Sequence, residues 1–324
     1  MFKINTDLAL EAREMYKEKE EQEIKGVIVD VETLEEVVIT RVEIVENHAA
    51  EIMGKPIGNY ITIECSGMRK ADADLKDLMS EILAKEIKKV APEKENLKVL
   101  IVGLGNWNIT PDALGPKVVD KVFVTRHLFK LYNKKKDESM SEISAISPGV
   151  MGTTGVDTGE IVMGIVQNIK PDLVVAIDAL ASRKMQRVNT TIQLSDTGIR
   201  PGSAMQSKRT ALNKQTLNVP VIAIGVPTVV DAATLASDTI DMAIKAFSRH
   251  TKKGSQFYRM LEELGAEEKY TLIKEVLEPY DANVIVTPKD IDDVIATLSN
   301  VIANGINIAL NPGIDLKDVN RYIN

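Results

Sequence analysis

Two aspartates stand out by position: Asp112 in GLGNWNITPDALGPKVVDKV (103–122) and Asp178 in LVVAIDALASRK (173–184). Each follows a short apolar run that reads as a buried strand, VLIVGLG (99–105) before the first and LVVAI before the second. In open α/β sheets ligands bind beyond the carboxyl ends of the strands, so neighbouring strands of this kind offer such residues to one crevice. Two carboxylates held close together cannot both ionise cheaply, so one pKa rises and the pair shares a proton. One group then activates water as a base while the other donates to the leaving atom. Local chemistry offers competing roles. Thr110 suits an N-cap and Pro111 the first helical position, which puts Asp112 in a first helical turn where the dipole favours its charge. Read locally, capping is the stronger role there. Asp178 can also cap the turn that follows it, but Ser182, Arg183 and Lys184 crowd the same lip, which suits a site better than a cap.

The other candidate segments are glycine-rich. SPGVMGTTGVDTGE (147–160) holds four glycines and ends at a predicted helix with Thr158 as N-cap. Such a loop, with Gly152, Thr153, Thr154 and Gly155 at its centre, offers backbone N–H groups to an anion, an oxyanion or a peptide backbone. It reads equally well as a tight surface loop. GVPTVVDAAT (225–234) has the same strand–turn–helix shape, with Asp231 as N-cap. Gly103-Leu104-Gly105 lacks the third glycine of a dinucleotide fingerprint, because position 108 is Asn. G-x-S-x-G, H-E-x-x-H and the phosphate-loop pattern are all absent. His48, His127 and His250 are the only histidines, and the last two fall near predicted helix ends, where they serve the dipole. Carboxylates therefore remain the most obvious acid–base groups.

Composition bounds the rest. A net charge of -7 leaves no cationic excess for non-specific nucleic-acid binding, and 4% aromatic residues leave little for stacking on bases. Cys65 is the only cysteine, so neither an internal disulfide nor a cysteine metal cluster is available. No signal-peptide core and no run of 18 apolar residues is present, so the expectation is a cytoplasmic protein that spans no membrane.

Along the chain, residues 8–25 read as a helix, and 26–46 as an antiparallel hairpin with one wet face and its turn near Leu34. YITIE (60–64) is a strand and 70–90 an amphipathic helix. From Leu97 apolar runs alternate with helices: a strand at 99–105, a helix from about 112 to 130, strands at 143–147, 173–178 and 219–225, and a helix from about 231 to 249. RVNTTIQLS (187–195) reads as an antiparallel edge strand, and NVIVT (283–287) as a short strand in a mostly helical tail. The predicted fold is a three-layer α/β/α domain with a mostly parallel twisted sheet, an N-terminal β-hairpin region and C-terminal helical decorations. Its parts are 8–96 with helix and β decorations, 97–250 as catalytic core, and 251–324 as a mostly helical end.

The segments TDLALEARE (6–14), GLGNWNITPDALGPKVV (103–119), SPGVMGTTGVDTGEIV (147–162), PDLVVAIDALASRKMQRVNTTIQLSDTGIRPGSAM (171–205) and IGVPTVVDAATLASDT (224–239) resemble the germination proteases of spore-forming bacteria. That resemblance implies an atypical aspartic endopeptidase that degrades small acid-soluble spore proteins, with a core like that of the hydrogenase-maturation endopeptidases. It implies catalytic aspartates at Asp112 and Asp178, no cofactor, a homotetramer and a place in the spore core. It further implies a self-processing zymogen cut between Asp7 and Leu8, with residues 1–7 as a propeptide shorter than in some relatives. An acidic residue before the cut calls for nearby cations, and Arg183, Lys184, Arg187, Arg200 and Arg209 are candidates by position. The alternatives are a metal-dependent endopeptidase of the hydrogenase-maturation type, with the two aspartates as ligands but no evident third histidine, and a non-enzymatic anion-binding module.

Overall fold

The computed structural model describes residues 6–20, 22–70, 72–132, 139–201, 210–250, 271, 273, 275–276 and 284–322. Among these residues nine strands form one sheet: β1 (Val27–Leu34), β2 (Val37–Ile44), β3 (Gly58–Cys65), β4 (Lys98–Gly103), β5 (Glu142–Ile146), β6 (Leu173–Ser182), β7 (Thr191–Ser195), β8 (Val221–Asp231) and β9 (Ile285–Val286). Their order is β1-β2-β3-β7-β8-β6-β4-β5, with β9 added to the end of β8. The α/β fold expected from the alternation of apolar runs and helices is present. Its sheet is mixed: β5, β4, β6 and β8 are parallel, and from β8 outward β7, β3, β2 and β1 are antiparallel.

Physical reasons for the split lie in the sequence. VLIVG, LVVAI and VIAIGV are apolar at successive positions and are buried on both faces. The helices Ala73–Val90 and Ile291–Leu310 cover one face, closing the main core over Ile101, Val175, Ile177, Ile192 and Ile224. Thr158–Ile169 packs Val162 and Val166 on the opposite face against Leu100, Val102 and Val174. Ile291–Leu310 is long and apolar enough to cross a membrane, but most of it is buried in this core. The hairpin β1–β2 turns at Glu35, whose φ is 53°, and joins the same sheet through β3. Beneath it Ala9, Ala49, Met53, Val42, Ile44 and Tyr60 form a smaller cluster under the helices Ala9–Glu20 and Asn47–Met53.

Several expected boundaries move. The helix predicted over 112–130 is a 3-10 turn at Thr110–Asp112, a short helix Leu114–Val119 and a separate helix Arg126–Tyr132. Between the two helices tertiary bonds hold the chain: the Phe123 N–H donates to Asn307 Oδ1 at 2.9 Å, and the Thr125 hydroxyl donates to the Ser141 carbonyl at 2.5 Å and accepts from the Ile143 N–H at 2.8 Å, tying the chain to β5. β7 is antiparallel as expected but lies inside the sheet, because β3 and β8 pair with its two sides. The N-cap of Thr158–Ile169 is Asp157, whose side chain accepts from the Gly159 N–H; Thr158 is the first helical residue. Asp231 does cap, accepting from the Thr234 N–H at 2.9 Å.

The short helix Leu114–Val119 sits directly on the strand ends. A Cβ at Gly115 would lie 2.3 Å from the Leu104 carbonyl oxygen and 2.7 Å from that of Ile177. Both neighbours are backbone and cannot swing aside. Gly115→Ala therefore destabilises the protein by roughly 1–3 kcal/mol from overpacking, which outweighs the gain of about 1 kcal/mol in helix propensity. Urea unfolding checks this, with Gly164→Ala as the control. That helical glycine faces open space, so its replacement stabilises by roughly 0.5–1 kcal/mol.

Candidate active site at the open edge of the central strand

Asp178 lies within β6, four residues before its end, where an end position was expected. The strand runs on because β8 accompanies it as far as Ser182 opposite Val230, and Asp178 is only 6% exposed. On the other side β4 stops pairing at Gly103 opposite Ile177. Residues two apart on a strand present their N–H and C=O groups to the same neighbour. The edge carrying Ile177, Ala179 and Ala181 therefore loses its partner just where Asp178 stands. Leu104 N–H takes the Ile177 carbonyl at 2.8 Å. Asp178 turns its own Oδ1 to the Ala179 N–H at 2.9 Å.

Asp112 is carried to the same end by the loop that leaves β4. Its Oδ2 accepts from the Asn106 N–H at 2.8 Å, which closes the loop on itself. Gly105 has φ 107°, and a Cβ there would fall 2.0 Å from the Asp112 carbonyl oxygen, so only glycine permits this turn. Thr110 does not act as the expected N-cap: the residue before the turn is Ile109, and the Thr110 hydroxyl donates to Asp292 at 2.8 Å. The turn packs against β6 and β8. The helix after Asp112 touches the carbonyl of the residue before Asp178, as the Gly115 contact shows.

The chain's own N-terminal segment occupies the edge that β4 leaves. The Asp7 N–H donates to the Ala181 carbonyl at 3.3 Å, and the Ala181 N–H donates to Asp7 Oδ2 at 2.9 Å. The Asp7 carbonyl accepts from Lys55 Nζ at 2.9 Å and from Gln193 Nε2 at 3.0 Å. Gln193 Oε1 takes the Ala9 N–H at 2.7 Å. Leu8 and Ala9 are fully buried, and so is Glu11, at 1% exposure. Glu11 accepts the backbone N–H groups of Arg183 at 2.8 Å and Lys184 at 3.0 Å, and its carboxylate also holds the Thr6 hydroxyl.

The family model described as "Germination protease" matches residues 6–263 and 251–323. A germination protease of Caldanaerobacter subterraneus subsp. tengcongensis is 51% identical over 320 residues, covering 99% of this chain and 98% of the relative. One from Clostridium acetobutylicum is 50% identical over the whole of both chains. One from Bacillus thuringiensis subsp. konkukian is 48% identical, covering 99% and 97%. The chain belongs to the germination protease family. Among solved structures, a [NiFe] hydrogenase maturation protease from Thermococcus kodakarensis aligns at 15% identity and a TM-score of 0.32, covering 69% of this chain and 98% of that one.

In this peptidase two of the charged residues expected to meet an acidic substrate side chain, Arg187 and Lys184, are engaged elsewhere. Arg187 bonds Glu14 at 2.7 Å and Glu64 at 2.8 Å, and Lys184 bonds Glu14 at 2.8 Å. Arg183 gives its backbone N–H to Glu11. Arg200 is exposed, and Arg209 lies outside the described residues. Gly152, Thr153, Thr154 and Gly155 form an exposed helical turn beyond β5, whose threonine hydroxyls return to the Val150 carbonyl. The groups that do reach Asp7, Lys55 and Gln193, carried no motif. Gln193 left one trace: it is a polar residue on an alternating strand whose polar side is buried here, at 9% exposure.

The ion pairs around Arg187 fix the N-terminal helix. Burial raises the Glu14 pKa, but hydrogen bonds and charge from Arg187 and Lys184 outweigh it and hold the carboxyl at about 2, below its ordinary 4.5. A carboxylate depressed on folding stabilises above its unfolded pKa and loses that contribution as pH falls through the folded one. Stability thus declines between about pH 4.5 and pH 2 in part through Glu14. Glu14→Gln is expected to narrow the difference in thermal midpoint between about pH 5 and pH 3. An unchanged difference would mean that the Arg187 pairs do not hold the helix in place.

Proposed function

We propose that this peptidase is an aspartate-dependent endopeptidase in which Asp112 and Asp178 share the handling of water and proton. One carboxylate takes a proton from water as the oxygen adds to the peptide carbonyl. The other donates to the departing amine. The observation that carries the reading is Asp7 held on the edge of β6, its N–H and its carboxylate both bonded to Ala181, with the Asp7–Leu8 bond directly after it. Ala181 is three positions, or about 10 Å of strand, beyond Asp178. An extended peptide added to an open strand edge is how a protease holds a substrate backbone while side-chain pockets select it. The same pose makes the chain its own first substrate: a zymogen that sheds residues 1–7 by cutting between Asp7 and Leu8.

Small acid-soluble spore proteins are the proposed substrates, acted on in the spore core by a homotetramer, in keeping with the germination proteases it resembles. Trp107 and Ile109 on the loop after β4, and Met151 and Val156 on the turn after β5, are exposed apolar residues beyond the carboxyl ends of two paired strands. They suit the apolar side chains of a bound peptide. Among the described residues no three His, Cys, Asp or Glu side chains are grouped to hold a metal ion, so no observation favours the metal-assisted alternative.

Asp112→Asn and Asp178→Asn are each expected to slow both self-processing and cleavage of a small acid-soluble spore protein by roughly 10²–10⁴-fold, the scale of a lost acid or base. Mass spectrometry of the purified chain over time reads the first, and a gel assay the second. Full activity in either variant would refute the aspartate mechanism, and loss of activity on exhaustive chelation would turn the reading toward a metal.

A further inference from the structure

The carbonyl of Asp7 is treated unlike its neighbours. Two side chains donate to its oxygen, the Lys55 ammonium at 2.9 Å and the Gln193 amide at 3.0 Å. Both come from the antiparallel half of the molecule, Lys55 from the turn before β3 and Gln193 from the middle of β7. One donor suffices to satisfy a carbonyl; two, one of them charged, suit an oxygen that gains negative charge. Gln193 does more than donate. Its Oε1 accepts from the Ala9 N–H at 2.7 Å, so one planar amide spans Leu8 and holds the backbone on both sides of the Asp7–Leu8 bond. Ala181 N–H fixes the Asp7 carboxylate at 2.9 Å. Lys55 also reaches the Thr6 carbonyl at 3.2 Å. Burial lowers the Lys55 pKa, and the charges of Asp7 and Glu11 oppose that fall. The acidic residue before the bond thus helps to keep its own donor protonated.

We propose that Lys55 and Gln193 are the electrophilic pair of the processing reaction, donating to the Asp7 carbonyl oxygen, and that Lys55 with the Ala181 N–H selects an acidic residue before the cut. This rests on the reading of Asp7–Leu8 as the bond that is broken. Water oxygen bonds to the Asp7 carbonyl carbon as its π electrons move to oxygen, where Lys55 and Gln193 receive them. The tetrahedral species collapses, the carbon–nitrogen bond to Leu8 breaks, and the proton lost by water reaches the Leu8 nitrogen. Products are the Asp7 carboxyl and a new amino terminus at Leu8. No further reactant is needed.

The test is the rate at which the full chain loses residues 1–7, followed by mass, with thermal unfolding measured on each variant. Lys55→Met keeps the aliphatic stem and loses the donor, and is expected to slow processing by roughly 10²–10³-fold; Lys55→Arg restores part of the loss. Asp7→Asn is expected to slow the parent chain more than it slows Lys55→Met, because each variant removes half of one interaction. Processing of folded Lys55→Met within about twofold of the parent, or effects of the two substitutions that simply multiply, would overturn the assignment. Should Lys55→Met fail to fold, Gln193→Glu decides. It keeps the acceptor for Ala9 and loses the donor to Asp7, so slowed processing supports the pair and a parental rate refutes it. Continued processing in Asp178→Asn would instead defeat the underlying reading.

Discussion

A strand that outruns its neighbour leaves backbone N–H and C=O groups that must find partners, because burying them unpaired costs as much as a lost hydrogen bond. β6 does this: β4 leaves at Gly103, while β8 supports β6 on its other side to Ser182. The exposed groups are then taken one by one. Leu104 takes the Ile177 carbonyl, Asp178 takes the Ala179 N–H, and Asp7 takes both the N–H and the carbonyl of Ala181. Both candidate aspartates and the N-terminal segment are thus consequences of one early strand end. A peptide can lie along β6 only because β4 does not.

What keeps the N-terminal segment on that edge is a buried carboxylate. Glu11 is enclosed by the backbone N–H groups of Arg183 and Lys184, the hydroxyls of Thr6 and Ser182, and Arg187 at 3.5 Å. A buried charge is tolerable only with this many partners. Thr6, one of them, lies on the other side of the Asp7–Leu8 bond from Glu11, so a cut there would detach one partner while Arg183, Lys184 and Arg187 remain. Glu14 extends the anchorage to Arg187 and Lys184, and Arg187 ties both to Glu64 on β3. Two of the cations that a reading of residue types would give to a substrate, Lys184 and Arg187, instead hold the chain's own helix.

Much of the architecture was legible because the physical signal was strong. Runs such as VLIVG and LVVAI bury both faces, and their β–α alternation needs a parallel sheet. VVITRVEI alternates, and it pairs antiparallel as alternation implies. Boundaries failed where tertiary contacts decided them. Nothing local extends β6 past Asp178; pairing with β8 does. Nothing local separates the helix ending at Val119 from the one starting at Arg126; bonds of Phe123 to Asn307 and of the Thr125 hydroxyl to the β5 segment do. TIQLS was legible as an antiparallel strand but read as an edge; β3 and β8 pair with its two sides, and its Gln193 is buried beneath the N-terminal segment.

By itself the sequence determined the residue chemistry: two aspartates after apolar runs, three histidines with no nucleophile or metal motif to serve, glycines where the chain must turn closely, and long segments resembling one family. These are properties of types and short spacings, and they survive without a fold. Tertiary structure alone decided who meets whom. Lys55 and Gln193 stand 138 positions apart in a chain that gives neither a motif, and they converge on the Asp7 carbonyl because β3 and β7 are paired. Spacing along a chain predicts contact only within a helix or strand. Convergence across a sheet depends on strand order and on where each strand stops, and here the stopping point of β4 left the edge at Ala181, three residues past Asp178, to the chain's own N-terminal segment.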